Sequence, residues 1–202
     1  MASAKGVHLT LVVNCVFNAF LRLTTILLNI ITIQALRKTS SLPKTLKTLR
    51  LSLAVSDLGE GLLVQPLYVA ILVMNVEGNS TAYYTVYKAY LIQKKVLVLA
   101  SHLGVFALTF DRFLAIQLHL RYRELVTLKR VVAVVISVWA FSASISILSE
   151  LYDSLVMGAV ILVVCVIITG LLYCKIYAAV RHHRNQMRAL QVQQELQNTR
   201  SP

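Results

Sequence analysis

The residue best placed to do chemistry is Asp57, a carboxylic acid inside an apolar stretch of sequence. It stands in residues 53–58, LAVSDL, with apolar residues on both sides. A carboxylate at bilayer depth is costly unless it is paired or hydrated, which makes it a candidate functional group. It can bind a cation or a proton with the help of polar groups on neighbouring segments. Alternatively, it is a structural carboxylate satisfied by Asn29 or Ser101.

A second candidate is the adjacent acid and base Asp111-Arg112, at the inner end of the third apolar segment. Opposite charges at this place can form a local pair that a conformational change breaks, which would make a switch. Alternatively, the arginine extends to the membrane surface and the two residues only anchor the segment. Spacing alone leaves both interpretations open.

Four more charged residues lie in apolar segments. Lys94 and Lys95, near the outer end of the third segment, either face a central pocket and attract an anionic ligand or extend to the outer head groups. Arg22 and Glu60 each stand in another apolar segment, and the sequence assigns a partner to neither. The histidines lack ligand-like spacing with cysteines or carboxylates, so no metal site is expected from them.

Membrane-spanning helices must position these side chains. The 202-residue chain is 57% hydrophobic and 14% charged, which is too apolar for a soluble domain. A spanning helix needs about 20 apolar residues, and five such stretches lie near residues 9–36, 46–74, 90–120, 131–148 and 155–180. Strict alternation is absent, so we predict an all-α, multi-pass transmembrane helical bundle. Residues 181–202 are predicted to form a basic cytoplasmic tail that extends the last helix.

The distribution of basic residues predicts the orientation of the chain. With the N-terminus outside, most basic residues fall in the inner loops and the tail: Arg37, Lys38, Lys44, Lys47, Arg50, Arg121, Arg123, Lys129, Arg130, Arg181, Arg184, Arg188 and Arg200. This positive-inside bias predicts an extracellular N-terminus and a cytoplasmic C-terminus. The net charge of +12 is neither clustered nor interleaved with exposed aromatics, so membrane lipid and not nucleic acid is the expected partner. Asn79, on the predicted outer side, begins a candidate glycosylation sequon.

Several of these residues, in their order and spacing, resemble the rhodopsin-like, or class A, family of G-protein-coupled receptors. The matching positions are Asn29, residues 53–58 (LAVSDL), residues 111–116 (DRFLAI), Tyr122, Thr127, Arg130, Trp139 and Tyr173. The resemblance implies five helices of a seven-helix rhodopsin-like receptor fold. It also implies ligand-dependent signalling through a heterotrimeric G protein at the plasma membrane, and it allows a receptor dimer.

The resemblance also implies which residues bind an ion and which residue contacts a ligand. Asp57, with Ser101 and Asn29, resembles the family's sodium-binding carboxylate and its partners, which favours the ion-binding interpretation. A sodium ion at Asp57 is therefore the one cofactor expected. Lys94 falls where many family members place a ligand-contacting residue. A lysine there argues against an amine ligand, because like charges repel.

The resemblance also implies an activation switch. Asp111, Arg112 and Phe113 resemble the family's Asp-Arg-Tyr motif, with Phe113 in place of the tyrosine. The ionic pair remains, so this replacement changes little. Tyr173 resembles the fifth-helix tyrosine that approaches the arginine in active receptors.

The chain also departs from the family pattern. The usual cysteine at the outer start of the third helix is replaced near Tyr87, and residues 149–154 contain no cysteine, so the family disulfide is not expected. Cys165 occupies the usual place of the fifth-helix proline, and the second outer loop is very short. Together these features look most like melanocortin receptors and their invertebrate relatives.

The printed sequence shows no sixth helix bearing Cys-Trp-x-Pro and no seventh bearing Asn-Pro-x-x-Tyr. We therefore expect a receptor truncated after the fifth helix, as a fragment, a shortened isoform or a decaying gene copy, with incomplete signalling. The alternative is a non-signalling truncated receptor that associates with full-length receptors and modulates them. A small channel around Asp57 would leave Asp111-Arg112 and Trp139 unexplained. An enzyme is not expected, because no nucleophile, base and orienting group can be assembled.

Overall fold

The computed structural model describes residues 2–77, 80–118, 121–152 and 155–200, and all regular structure in these residues is helical. The elements in chain order are α1 (Ala2–Lys38), α2 (Lys44–Gly59), a π-turn (Glu60–Val64), α3 (Gln65–Glu77), α4 (Ser80–Leu118), α5 (Tyr122–Leu125), α6 (Leu128–Leu151) and α7 (Leu155–Arg200). The predicted fold class, an all-α transmembrane bundle, is confirmed.

Four helical stretches are long and apolar enough to cross a membrane. They are Ala19–Lys38 in α1, Tyr83–Leu118 in α4, Leu128–Leu151 as α6 and Gly158–Arg188 in α7. The second predicted span, residues 46–74, falls on α2, the π-turn and α3, which follow one another without a break. Because α2 has 16 residues and α3 has 13, neither piece alone reaches spanning length. The π-turn therefore divides one long segment into two short helices.

Proline fixes where the second segment begins. Pro43 precedes α2 with φ −53° and ψ 137°, and its carbonyl accepts the backbone N–H of Lys47 at 3.0 Å. A proline lacks the N–H that a helix start leaves unpaired, so it costs little at this position. The connection from α1 to α2 is accordingly short, and the two helices return side by side.

Helix α4 lies at the centre of the bundle. It packs against α2, α3, α6 and α7, and Leu97, Leu99 and Ala100 near its middle are buried. Helix α1 packs on the opposite side of α2, where a Cβ added to Gly61 would lie 2.6 Å from Cγ1 of Ile26. A residue without a side chain thus lets the π-turn approach α1 closely, as small residues do in membrane bundles.

The outer faces of the helices are apolar, as a lipid solvent requires. Phe17 and Phe20 of α1, Ile136 of α6 and Val163 of α7 are all more than half exposed. Several hydroxyl groups within the spans donate to carbonyls of their own helices: the Oγ1 of Thr32, for example, donates to the carbonyl of Leu28 at 2.7 Å. Such bonds satisfy polar groups that have no water to bind in the hydrocarbon.

Candidate functional site

Asp57 of α2 and Ser101 of α4 meet in the middle of the bundle. The hydroxyl of Ser101 donates to Oδ1 of Asp57 at 2.7 Å, and its oxygen also lies 2.9 Å from Oγ of Ser56. Ser56 in turn donates to the carbonyl of Leu53 at 2.8 Å. Each hydroxyl has one proton, so Ser101 gives its proton to the carboxylate and can accept one from Ser56 only if Ser56 leaves Leu53. The structure thus brings together two of the three residues predicted for this site.

The third predicted residue, Asn29, does not join them. Its Nδ2 donates to the carbonyl of Thr25 on its own helix at 2.9 Å. A cavity of about 320 Å³ adjoins Asp57 and Ser101 and is also lined by His102 of α4 and Thr169 of α7. A carboxylate and two hydroxyls facing one cavity are the oxygen ligands that a hard cation prefers. The residues present therefore fit a small cation without Asn29.

Asp111 is the most buried acid of the site, with 4% of its surface exposed. Its Oδ2 accepts from Nε of Arg112 at 3.1 Å and also contacts Nη2 of that side chain, while its Oδ1 accepts the hydroxyl of Tyr122 at 2.7 Å. We call these three residues the Asp111 latch. One carboxylate holds an arginine of its own helix and a tyrosine of α5, so freeing Arg112 requires changing a buried network.

The latch also changes the acidity of its tyrosine. Tyr122 lies on α5, outside the membrane-crossing stretches. Burial raises the pKa of its hydroxyl, and so do the hydrogen bond to Asp111 and the negative charge of that carboxylate. Arg112 and a hydrogen bond from Thr45 act in the opposite direction. Tyr122 therefore holds its proton, and the hydrogen bond that uses it, beyond the usual range of tyrosine.

The other two residues predicted for the switch stand apart from the latch. Phe113 is half-buried on α4. Tyr173 lies on α7 with 56% of its surface exposed. Among the described residues, the structure holds the arginine at Asp111 and not at Tyr173.

Lys94 and Lys95, in the first half of α4, make different contacts. Nζ of Lys95 donates to Oε2 of Glu150 on α6 at 2.8 Å, whereas Nζ of Lys94 lies 5.6 Å from the ring centre of Tyr90. Both lysines line a cavity of about 260 Å³ between α4, α6 and α7. Gly158 borders it on the α7 side. Lys95 thus has an ionic partner on α6, whereas Lys94 lies near an aromatic ring of its own helix.

Arg22 of α1 and Glu60 of the π-turn form an ion pair that the sequence did not predict. Nη1 of Arg22 lies 3.3 Å from Oε1 of Glu60 and 3.4 Å from its carbonyl oxygen. A signal was nevertheless present. Arg22 lies 16 residues before Lys38, the end of α1, and Glu60 lies 16 residues after Lys44, the start of α2. Two antiparallel helices joined by a short loop place such residues at the same depth.

The same matching of depths holds for the pair on α4 and α6. Lys95 lies 23 residues before Leu118, and Glu150 lies 22 residues after Leu128. A search of the sequence for opposite charges at equal depth in neighbouring spans would therefore have found both ion pairs.

Trp139 provides a further polar contact between helices. Its Nε1 donates to Oγ of Ser52 on α2 at 3.1 Å. This bond fixes α6 against α2 beside the Asp57 segment. Among residues 2–77, 80–118, 121–152 and 155–200, no group of three or more His, Cys, Asp and Glu side chains could hold a metal ion. The predicted glycosylation site, Asn79, lies outside the described residues.

Comparison with protein families agrees with this arrangement. The family described as 7 transmembrane receptor (rhodopsin family) matches residues 28–155 of the chain. The matched stretch is more than half of the chain and contains Asn29, Asp57, the Asp111 latch and Trp139. The chain belongs to the rhodopsin family of seven-transmembrane receptors. It is thus a multi-pass membrane protein of a family whose members are receptors and not enzymes.

Proposed function

We propose that the chain is a plasma-membrane receptor in which ligand binding at the extracellular side releases Arg112 for a heterotrimeric G protein at the cytoplasmic side. The observation that carries the proposal is the Asp111 latch, which holds a half-exposed arginine in place through one buried carboxylate. Breaking an ion pair in a buried network requires a compensating interaction elsewhere. A ligand that rearranges α4 would supply it. The basic inner loops support the proposed orientation.

The test replaces the carboxylate while keeping its shape. Asp111→Asn weakens the attraction for Arg112, so ligand-independent nucleotide exchange on the G protein should rise several-fold in membranes of expressing cells. Glu124→Gln removes an exposed acid of the neighbouring α5 and should leave the exchange rate unchanged. The Nε–H resonance of Arg112 should shift and its proton should exchange faster in Asp111→Asn. Unchanged exchange and an unchanged resonance in Asp111→Asn would contradict the proposal.

We propose further that the ligand is not an amine and that it carries an anionic group. The cavity between α4, α6 and α7 is lined by Lys94 and Lys95, and Lys95 is already paired with Glu150. A cationic ligand would meet Lys94 without a neutralising partner, whereas a carboxylate would gain one. Thermal stabilisation by pairs of small compounds differing only in a carboxylate or an amine tests this. Carboxylates should stabilise the wild type more, and Lys94→Gln should abolish the difference; a preference for amines would sink the idea.

A sodium ion at Asp57 is part of the same proposal. Ser101 and Thr169 supply hydroxyl oxygens beside the carboxylate, in a cavity of about 320 Å³. When bound, the ion would neutralise Asp57 and hold α2 to α4. The wild type should unfold at a higher temperature in sodium chloride than in choline chloride. Asp57→Asn should remove the difference and Glu124→Gln should keep it. Equal stability of the wild type in both salts would exclude the ion.

We also propose that, within the family, the chain stands nearest the melanocortin receptors. Cys165 at the place of the usual proline and the short connection between α6 and α7 support this position. Grouping of the chain with a different branch, in a tree of family sequences aligned on α1 to α7, would contradict it.

A further inference from the structure

A groove lies between α2, α4, α5 and α6 and borders the Asp111 latch. Its volume is about 630 Å³, within the range of about 300–1,000 Å³ that ligand pockets occupy. The buried side chains of Leu49 and Val131 form its floor. Phe110, Phe141 and Leu125 form its walls and are each more than 40% exposed. The groove is thus an apolar channel that opens sideways, towards the lipid.

The length of the groove matches one leaflet of a bilayer. It runs along α6 from Arg130 to Phe141 and along α4 from Leu103 to Leu114. Each stretch is about 16 Å long at about 1.5 Å per residue. The hydrocarbon core of a bilayer is about 30 Å thick, so one leaflet contributes about 15 Å. An extended acyl chain that enters at the α5 end would therefore be covered along most of its length.

The end of the groove next to α5 is basic. Arg130 lines it, and Lys129 and Arg121 are exposed nearby in the chain, against the single exposed acid Glu124. Nη1 of Arg130 donates to the carbonyl of Leu125 at 2.9 Å, which directs the side chain towards the mouth and leaves further guanidinium N–H groups to bind an oxyanion.

Asp111 also lines the groove but does not compete for these cations. Both of its oxygens are already bonded within the Asp111 latch. The mouth therefore carries a net positive charge. Arg130 lies two residues from the start of the Leu128–Leu151 span, and the end of a span is where phospholipid head groups are expected.

We propose that this groove binds one acyl chain of an anionic phospholipid, whose head group contacts Arg130. A soluble ligand would have to cross the head-group layer to reach walls that already face the hydrocarbon, whereas a lipid diffuses into them laterally. Leu125 of α5 is a wall of the groove, and Tyr122, one turn earlier, belongs to the Asp111 latch. An occupied groove thus contacts α5 on the face that also carries Tyr122, beside the latch.

The single tryptophan of the chain makes a direct test possible. In a Trp139→Phe background, Phe141→Trp places a fluorescent reporter in the groove, and Ile136→Trp places one on a lipid-exposed face of the same helix outside the groove. Each full-length variant is reconstituted in phosphatidylcholine vesicles containing increasing fractions of a lipid brominated on its acyl chain. The lipid is either phosphatidylserine or phosphatidylcholine. Bromine quenches only when the chain lies against the reporter.

We compare the lipid fractions at which quenching of the groove reporter is half-maximal. This fraction should be about fivefold lower for brominated phosphatidylserine than for brominated phosphatidylcholine if one basic residue contacts the head group, and lower by a further factor of about five for each additional one. The Ile136→Trp reporter should show no preference. Adding Arg130→Gln should remove the preference at the groove reporter, and Arg130→Lys should retain it because the charge remains. Arg37→Gln, at the far end of α1, should leave it unchanged.

The proposal is overturned if the groove reporter shows no preference for phosphatidylserine, or prefers phosphatidylcholine. It is also overturned if the two reporters show the same preference, because general attraction of anionic lipid to a basic protein would explain that result. If Arg130→Gln does not fold, as judged by helical circular dichroism, the preference for phosphatidylserine is measured in Lys129→Gln and Arg130→Lys, and these two variants test the proposal instead. Loss of preference in Arg130→Lys would show that the hydrogen bond to Leu125, and not the charge at the mouth, governs the site.

Discussion

Asp111 uses both oxygens of one carboxylate, one for Arg112 and one for Tyr122. Adjacency of the two residues allowed a local pair with Arg112, and the family resemblance implied it. The bond to Tyr122 requires that α5 folds back against α4, which no local pattern of four residues can reveal. A buried acid shared by two partners explains why the arginine stays at Asp111 although it is itself half-exposed.

Replacing Tyr122 by phenylalanine should cost stability in a pH-dependent way. The pKa of Tyr122 is raised in the folded protein, mainly by burial. The folded state thus retains the proton where the unfolded chain has lost it. The stabilisation is therefore fully present below about pH 10 and is lost as the pH rises through the higher folded-state value. Thermal unfolding should show the wild type more stable than Tyr122→Phe by about 1 kcal/mol at neutral pH, with the difference shrinking above about pH 10.

The other tyrosines and the lysines titrate in both the wild type and Tyr122→Phe. The difference in stability between the two proteins therefore reports the hydroxyl of Tyr122 alone. A difference that stays constant well above about pH 10, or that grows there, would show that folding does not raise the pKa of Tyr122.

Arg22 and Glu60 should be coupled energetically, although neither had a partner from sequence. Removing one member leaves a charge in the hydrocarbon, whereas removing both leaves none. Arg22→Gln and Glu60→Gln should each destabilise the protein, and the double variant should be more stable than the sum predicts, by about 1 kcal/mol or more. Arg37→Gln with Glu124→Gln, which are not in contact, should be additive. Additive effects for Arg22 and Glu60 would mean that the ion pair does not form in the membrane.

At the scale of elements, the π-turn is the part of the second segment that sequence could not predict. The apolar run 46–74 predicted a single span, and its hydropathy does not distinguish π from α hydrogen bonding. The structure shows why the irregularity is stable: it lies where Glu60 meets Arg22 and where Gly61 lets α1 come close. Such turns often occur at functional positions, and their causes are contacts between helices.

Gly61→Ala should separate α1 from the π-turn. The added methyl would lie 2.6 Å from Cγ1 of Ile26, an atom near the helix backbone that cannot simply swing away. We expect the thermal unfolding temperature to fall and the coupling between Arg22 and Glu60 to weaken. Gly158→Ala on α7 is the matched control, because a Cβ there has no neighbour within 4 Å among the described residues. Equal effects of the two substitutions would show that the close approach is not needed.

At the scale of the whole molecule, sequence predicted the helical bundle well because lipid imposes simple rules. Spans of about 20 apolar residues are required by the thickness of the bilayer, and helices are required by backbone hydrogen bonding. The pairing of Asp57 with Ser101 was also predicted, through the family resemblance. Asn29 remained apart because its amide is satisfied by its own helix. Contacts between side chains of successive helices depend both on the rotation of each helix about its axis and on the depth of each residue in the membrane. Hydropathy reports neither quantity.

The orientation of the bundle gives a prediction for the whole chain. Basic residues concentrate at one end of the helices, so that end should face the cytoplasm. An epitope tag added before Met1 should bind antibody on intact cells, and a tag added after Pro202 should bind only after the cells are permeabilised. The tag before Met1 and the tag after Pro202 serve as controls for each other. The reverse pattern would place the latch outside the cell and contradict the proposed signalling.

The π-turn also determines how α3, which follows it in the second segment, is rotated about the helix axis. One residue of an α-helix turns the chain by about 100°, and a π-turn accommodates one additional residue. Helix α3 therefore keeps its azimuth only while the π-turn absorbs that residue, and this azimuth brings Tyr68 within 6.0 Å of Tyr90, ring centre to ring centre. Deleting Leu62 would restore a regular helix with Tyr68 still near Tyr90, whereas a regular α-helix through all the residues would carry Tyr68 away by about 100°. A bifunctional cross-link between cysteines at these two positions would report the rotation.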